Sequence, residues 1–140
     1  MRRILPLLGL LALGASGSSA QEPRQVLHEV VVPLSRNPLP NAQGHDLIAV
    51  EVAFPPGAEA APHRHPGAFI YAYVLSGEVV SAIGDEEPRL YRTGESWHED
   101  PGVLHRVTRN ASKTTSARLL AIFIAPASET RLVEPALDAK

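Results

Sequence analysis

The stretch Ala61–Gly77, APHRHPGAFIYAYVLSG, decides how the chain reads. Two histidines, His63 and His65, open it at i, i+2 spacing. On an extended strand such residues point to the same face, so both imidazoles can address one point. Then comes Ala68 to Leu75, where every residue is apolar or tyrosine. That is a strand signal, and Ser76-Gly77 closes it as a tight turn before a second strand, EVVSAI, at Glu78–Ile83. A hard-metal site built from histidines usually takes a carboxylate as well. None lies between Glu59 and Glu78.

Outward from this stretch the pattern stays short and β-like. VLHEVVV (Val26–Val32) reads as a strand and PLSRNPLPNAQGH as the loop after it. DLIAVEVAF (Asp46–Phe54) alternates and stops at Pro-Pro-Gly. RLYR (Arg89–Arg92), ESWHE (Glu95–Glu99), VLHRVTR (Val103–Arg109) and ARLLAIFI (Ala117–Ile124) follow, separated by charged or polar turns. Seven or eight short strands with frequent turn signals predict an all-β sandwich or small barrel. Thirteen prolines in loop positions suit that class. The tail after Pro126 is mixed, readable as a short helix or as loose chain.

The chain is long enough for one domain. Arg2 and Arg3, the apolar run Ile4–Ala15 and the small residues Ser18 and Ala20 form a secretory signal pattern. The expected mature domain is 21–140, with its core at about 46–125, in the periplasm or secreted. The apolar run is shorter than the ~20 residues a span needs. No membrane span is therefore expected in the mature form. Loss of Arg2 and Arg3 leaves 11 Lys and Arg against 15 Asp and Glu, a net charge of −4. That balance gives no electrostatic ground for nucleic acid as a partner. With no cysteine there is no disulfide, thiolate ligand or thiol nucleophile.

A second histidine signal strengthens the first. In DPGVLHR, His105 lies three residues beyond Gly102, at the entry to a new strand. A Pro-Gly turn sets the direction of that strand. Two histidines from one hairpin and one from another can build a three-imidazole site for Fe, Zn, Cu or Ni.

These residues resemble the cupin superfamily. Its first motif runs Gly, five residues, His-x-His, three or four residues, Glu, six residues, Gly. Here it is met by Gly57, His63, His65 and Gly77. The second motif is matched by Gly94, Pro101-Gly102 and His105, with Asp100 in a proline slot and Asn110 one residue late. The resemblance implies a double-stranded β-helix, the jelly-roll barrel, and a homodimer. It also implies one divalent transition metal and oxygen chemistry or isomerisation on a small organic molecule. The enzyme would then be a metal-dependent, dioxygenase-like oxidoreductase. The alternative is a non-catalytic barrel that binds a small ligand.

The family's acidic slot falls on Ile70, or on Phe69 under the shorter spacing. Without the carboxylate the site's net charge rises by one, and Mn suits it less than Fe, Zn, Cu or Ni. Three readings stay open: His63, His65 and His105 with water completing the metal's shell, another residue filling the gap, or no metal. For the second, His98 is the first candidate as ligand or as ligand support. Tyr71 and Tyr73 follow it, since a tyrosinate must lose a proton of pKa about 10. Phe69, Ile70, Tyr71 and Tyr73 are expected to line the cavity, which suits an apolar or aromatic molecule. Trp97 and His98 face opposite sides of one strand, with the inward one undetermined. His28, His45 and Arg64 read as surface residues.

Overall fold

The computed structural model describes residues 27–136, so the expected signal peptide at 1–20 lies outside the described residues. The strands are β1 (Val30–Pro38), β2 (His45–Phe54), β3 (Glu59–Ala60), β4 (His63–Arg64), β5 (Phe69–Ser76) and β6 (Glu78–Ile83). After them come β7 (Arg89–Arg92), β8 (Ser96–Glu99), β9 (Leu104–Asn110), β10 (Ala117–Pro126) and β11 (Glu134–Pro135). They form two antiparallel sheets of order β1-β2-β10-β5-β8 and β11-β4-β9-β6-β7, with β3 beside β9. This is the expected all-β jelly roll. Among the described residues there is no helix. Accordingly none is long and apolar enough to cross a membrane.

Alternation builds the core. On β5 the inward residues are Ile70, Ala72 and Val74, all at most 2% exposed. On β10 they are Leu119, Ala121 and Phe123, and on β2 Ile48, Val50 and Phe54. Each large side chain so buried contributes about 1.5–3 kcal/mol of hydrophobic stabilisation. The two inner faces meet in one cluster that includes Val79, Tyr91 and Trp97.

Three sequence expectations change. Ser76-Gly77 does not close a hairpin: β5 and β6 belong to opposite sheets, and the chain crosses between them at this point. Gly77 has φ 74°, and a Cβ there would stand 2.7 Å from the Ser116 carbonyl oxygen. Only glycine fits that corner. The segment PLSRNP, expected as loop, continues β1 to Pro38, because Ser35 to Pro38 pair with Asp46 to Ala49 of β2 beyond a register shift. Prolines are tolerated there because β1 is an edge strand. Among the described residues the tail after Pro126 holds no helix and is not loose throughout. Its strand β11 pairs Glu134 with Arg64 and Pro135 with His63.

Two hydrogen bonds join the histidine motifs. Gly102 N–H donates to the His65 carbonyl at 2.8 Å. Arg64 returns a bond from its exposed guanidinium to the Gly102 carbonyl at 2.8 Å. Asn110, the residue one position late in the second motif, is 4% exposed. Its amide nitrogen lies 2.8–3.1 Å from the carbonyls of Phe54, Pro55 and Thr115, tying three chain segments together.

Candidate metal centre

His63 and His105 are cross-strand partners on β4 and β9. His65 lies just past β4 on the same face as His63. The ring centroid of His63 stands 4.9 Å from that of His65 and 5.0 Å from that of His105. One ligand atom from each of the three can be chosen so that all lie within 4.8 Å of one another. His65 and His105 are buried, and His63 is half-buried.

The hydrogen bonds of these rings fix what they offer. His63 Nδ1 donates to the Ala61 carbonyl at 2.8 Å. His65 Nδ1 donates to the Leu132 carbonyl at 2.6 Å. A carbonyl only accepts, so both rings carry their proton on Nδ1 and leave the Nε2 lone pair free. Metal-binding histidines are oriented in this way. The bond to Leu132 gives the tail a place in the site. His105 differs, since both of its nitrogens are engaged. Ser81 and Thr108 hydroxyls lie 2.9 and 2.6 Å from Nε2, and Nδ1 stands 3.1 Å from Glu99 Oε1. A metal bound by His105 must break one of these two sets of bonds.

Glu99 is the site residue that the sequence reading missed. It lies on β8, directly opposite Ile70 of β5, and is 2% exposed. The Trp97 indole N–H donates to its Oε1 at 3.0 Å. Its Oε2 is 3.6 Å from His65 Nε2 and has no hydrogen-bond partner. Burial works to raise the Glu99 pKa. The hydrogen bond and charge of His105, the charge of His65 and the Trp97 N–H outweigh it and hold the carboxyl below its usual range. Burial lowers the pKa of His63 to about 4, against the raising effect of the Ala61 carbonyl. Burial also lowers that of His65. Neutral imidazoles beside an ionised carboxylate are the protonation states that metal ligands need. The residues present therefore fit a divalent metal.

The other expected residues fall elsewhere. His98 points outward, is exposed, and stacks on Phe69 with ring centroids 5.7 Å apart. It is neither a fourth ligand nor a support for one, because Trp97 and Glu99 take the inward phase of β8. Phe69, Tyr71 and Tyr73 do not line the cavity either. They occupy the outer phase of β5, with Phe69 36% and Tyr71 40% exposed. Of the four expected lining residues only Ile70 borders it. The cavity has a volume of about 280 Å³ and contains all three histidines and Glu99 in its wall. Val50, Val52, Phe54, Leu119 and Phe123 make most of the rest apolar. His28, His45 and Arg64 are exposed, as expected.

A family model described as "Cupin domain" matches residues 50–123, just over half the chain and both histidine motifs. The chain belongs to the cupin family. A curated relative, germin-like protein 3-1 of Oryza sativa subsp. japonica, is 38% identical over 77 residues, covering 52% of this cupin and 33% of the relative. Among solved structures, an oxalate oxidase in complex with the substrate analogue glycolate matches with a TM-score of 0.59 at 23% identity. That match covers 81% of this chain and 59% of the other. The protein TT1209 of Thermus thermophilus matches with a TM-score of 0.56 at 27% identity, over 71% and 84% of the two chains. The cupin described here thus spans a third of its curated relative and about three-fifths of the oxalate oxidase.

Proposed function

We propose that this cupin binds one divalent transition metal through His63, His65 and His105 and uses it on a small organic molecule in the barrel. The carrying observation is that ligand atoms of the three histidines lie within 4.8 Å of one another at the wall of the cavity. Two further features support the reading. The Nε2 lone pairs of His63 and His65 are free because backbone carbonyls hold the opposite nitrogens. The wall formed by Val50, Phe54, Ile70 and Phe123 is apolar and favours a small apolar or aromatic molecule.

When bound, the metal supplies Lewis acidity or a site for dioxygen, which makes a dioxygenase-like oxidoreductase or an isomerase the activity to seek. His63 and His65 hold their rings at fixed angles for it. Phe123 packs edge-on against His65, with centroids 5.1 Å apart, and limits the rotation of that ring. The amino-terminal pattern supports export to the periplasm or beyond. The edge strand β1 supports a homodimer: every residue of it is exposed, including Val30, Val31, Val32 and Leu34 at 45–55%. A second copy would cover this apolar edge.

Metal analysis by mass spectrometry on purified protein tests the reading. Wild type should carry close to one transition metal per chain, and His63→Ala/His105→Ala none. Equal metal in both proteins rules out the three-histidine site. Oxygen uptake with a panel of phenols then separates an enzyme from a barrel that retains its ligand without turnover.

A further inference from the structure

We infer that Glu99 supplies the carboxylate ligand of this site from β8, the strand beside the one on which the family motif carries its acid. The inference rests on the metal-binding reading above and extends it by one ligand. Its first ground is register. Ile70, which occupies the motif's acidic slot, and Glu99 are direct cross-strand partners, so their side chains leave the same face of the sheet. Directly opposite residues have Cβ atoms about 5 Å apart. A glutamate on β8 can therefore deliver its carboxylate to the region that a glutamate at position 70 would serve.

The second ground is an orphaned atom. Glu99 Oε1 is held by the Trp97 indole at 3.0 Å and by His105 at 3.1 Å. Oε2 is buried without any partner and stands 3.6 Å from His65 Nε2. Buried polar atoms are almost always satisfied, and an orphan in a native site calls for a missing partner. Oε2 and the Nε2 lone pair of His65 would both gain a partner from a bound cation, since neither can donate to the other while His65 is protonated on Nδ1. The third ground is that Trp97 fixes the carboxylate. It shares the inner face of β8 with Glu99 and is itself 7% exposed, which makes it a positioning residue.

The donor set then has three imidazoles and one carboxylate. That returns a hard ligand to the site and reverses the sequence expectation that Mn is disfavoured. The order of this chain differs from the family motif, but the two ladder positions exchange roles: apolar Ile70 where the acid is expected, and the acid where its neighbour lies.

The test is a Mn(II) titration followed by the electron paramagnetic resonance signal of free Mn(II). The proteins are wild type, Glu99→Gln, Glu99→Leu, Ile70→Glu/Glu99→Leu and His63→Ala/His105→Ala. Glu99→Gln keeps the shape and should weaken Mn(II) binding at least ~10-fold, since even outer-sphere changes cost that much. Zn(II), which tolerates an all-imidazole site, should lose less. The exchanged pair should recover most of the affinity. Unchanged Mn(II) binding in Glu99→Gln overturns the inference and leaves the three-histidine site standing. If Glu99→Gln does not fold, Glu99→Leu compared with the exchanged pair decides: Mn(II) affinity lost in Glu99→Leu and recovered when the acid returns at position 70 supports the inference, and affinity in Glu99→Leu equal to wild type overturns it. A wild type that takes up no metal sinks the underlying reading instead.

Discussion

Replacing Trp97 with phenylalanine tests whether the carboxylate at the centre of this site is held as described. The indole N–H meets Glu99 Oε1 at 3.0 Å, with the two residues 7% and 2% exposed. A buried hydrogen bond to a charged group is worth about 1.5–3 kcal/mol. The smaller ring also gives up packing worth roughly 1 kcal/mol. Trp97→Phe should therefore destabilise metal-free protein by about 3 kcal/mol. Most of that loss belongs to one contact, so it should vanish when the contact is already gone. In a Glu99→Leu background the same change should cost at most about 1 kcal/mol, the packing part alone. Urea unfolding of the four proteins in chelator gives the cycle, read from midpoints with the slope held common. A cost that agrees in the two backgrounds within about 0.5 kcal/mol would show that the indole does not engage the carboxylate.

Acid should weaken the metal-free protein. The unfolded-state value of His63 is near 6.5 and its folded value about 4, so below pH 6.5 the unfolded chain binds the extra proton. Stability should hold above pH 6.5 and fall towards pH 4 by up to about 3 kcal/mol from this group, reinforced over the same window by His65 and, once the pH drops below the ordinary glutamate value of 4.5, by Glu99. Thermal melts across that range check it, and a flat profile would speak against a neutral, half-buried His63. Asn110→Ala should cost about 1–3 kcal/mol by leaving carbonyls of Phe54, Pro55 and Thr115 without their amide donor, measured by urea unfolding. Phe69→Ser and Tyr71→Ser should leave metal content unchanged, because both side chains lie on the outer face of β5.

Much of the fold was legible because its signals are local. The short runs EVVSAI and RLYR, each bounded by turn signals, matched β6 and β7 with the bounds observed. His63, His65 and His105 were legible from their i, i+2 spacing and the Pro-Gly turn. The acid was not, because it is defined by a pairing between segments almost thirty residues apart. Nothing near Glu99 in sequence says that it faces Ile70. Alternation did place Trp97 and His98 on opposite faces, and knowing which one points inward would have identified Glu99 two residues after Trp97. The same uncertainty of phase put Phe69, Tyr71 and Tyr73 in the cavity. On a strand covered on one side only, aromatics can occupy either face, and β5 buries Ile70, Ala72 and Val74 instead. The crossing at Gly77 was hidden for a related reason, since a turn signal reports a change of direction and not which sheet the next strand joins.

Crystals grown with Mn(II) or Fe(II) and measured at the absorption edge of the metal give the most direct view of the site. An anomalous peak at the inner wall of the barrel, bonded to His63, His65 and His105, is the expected outcome, with Glu99 as the neighbouring oxygen. A peak confined to the exposed His28 or His45, with the three inner imidazoles still in their metal-free hydrogen bonds and no metal between them, would refute the proposed centre.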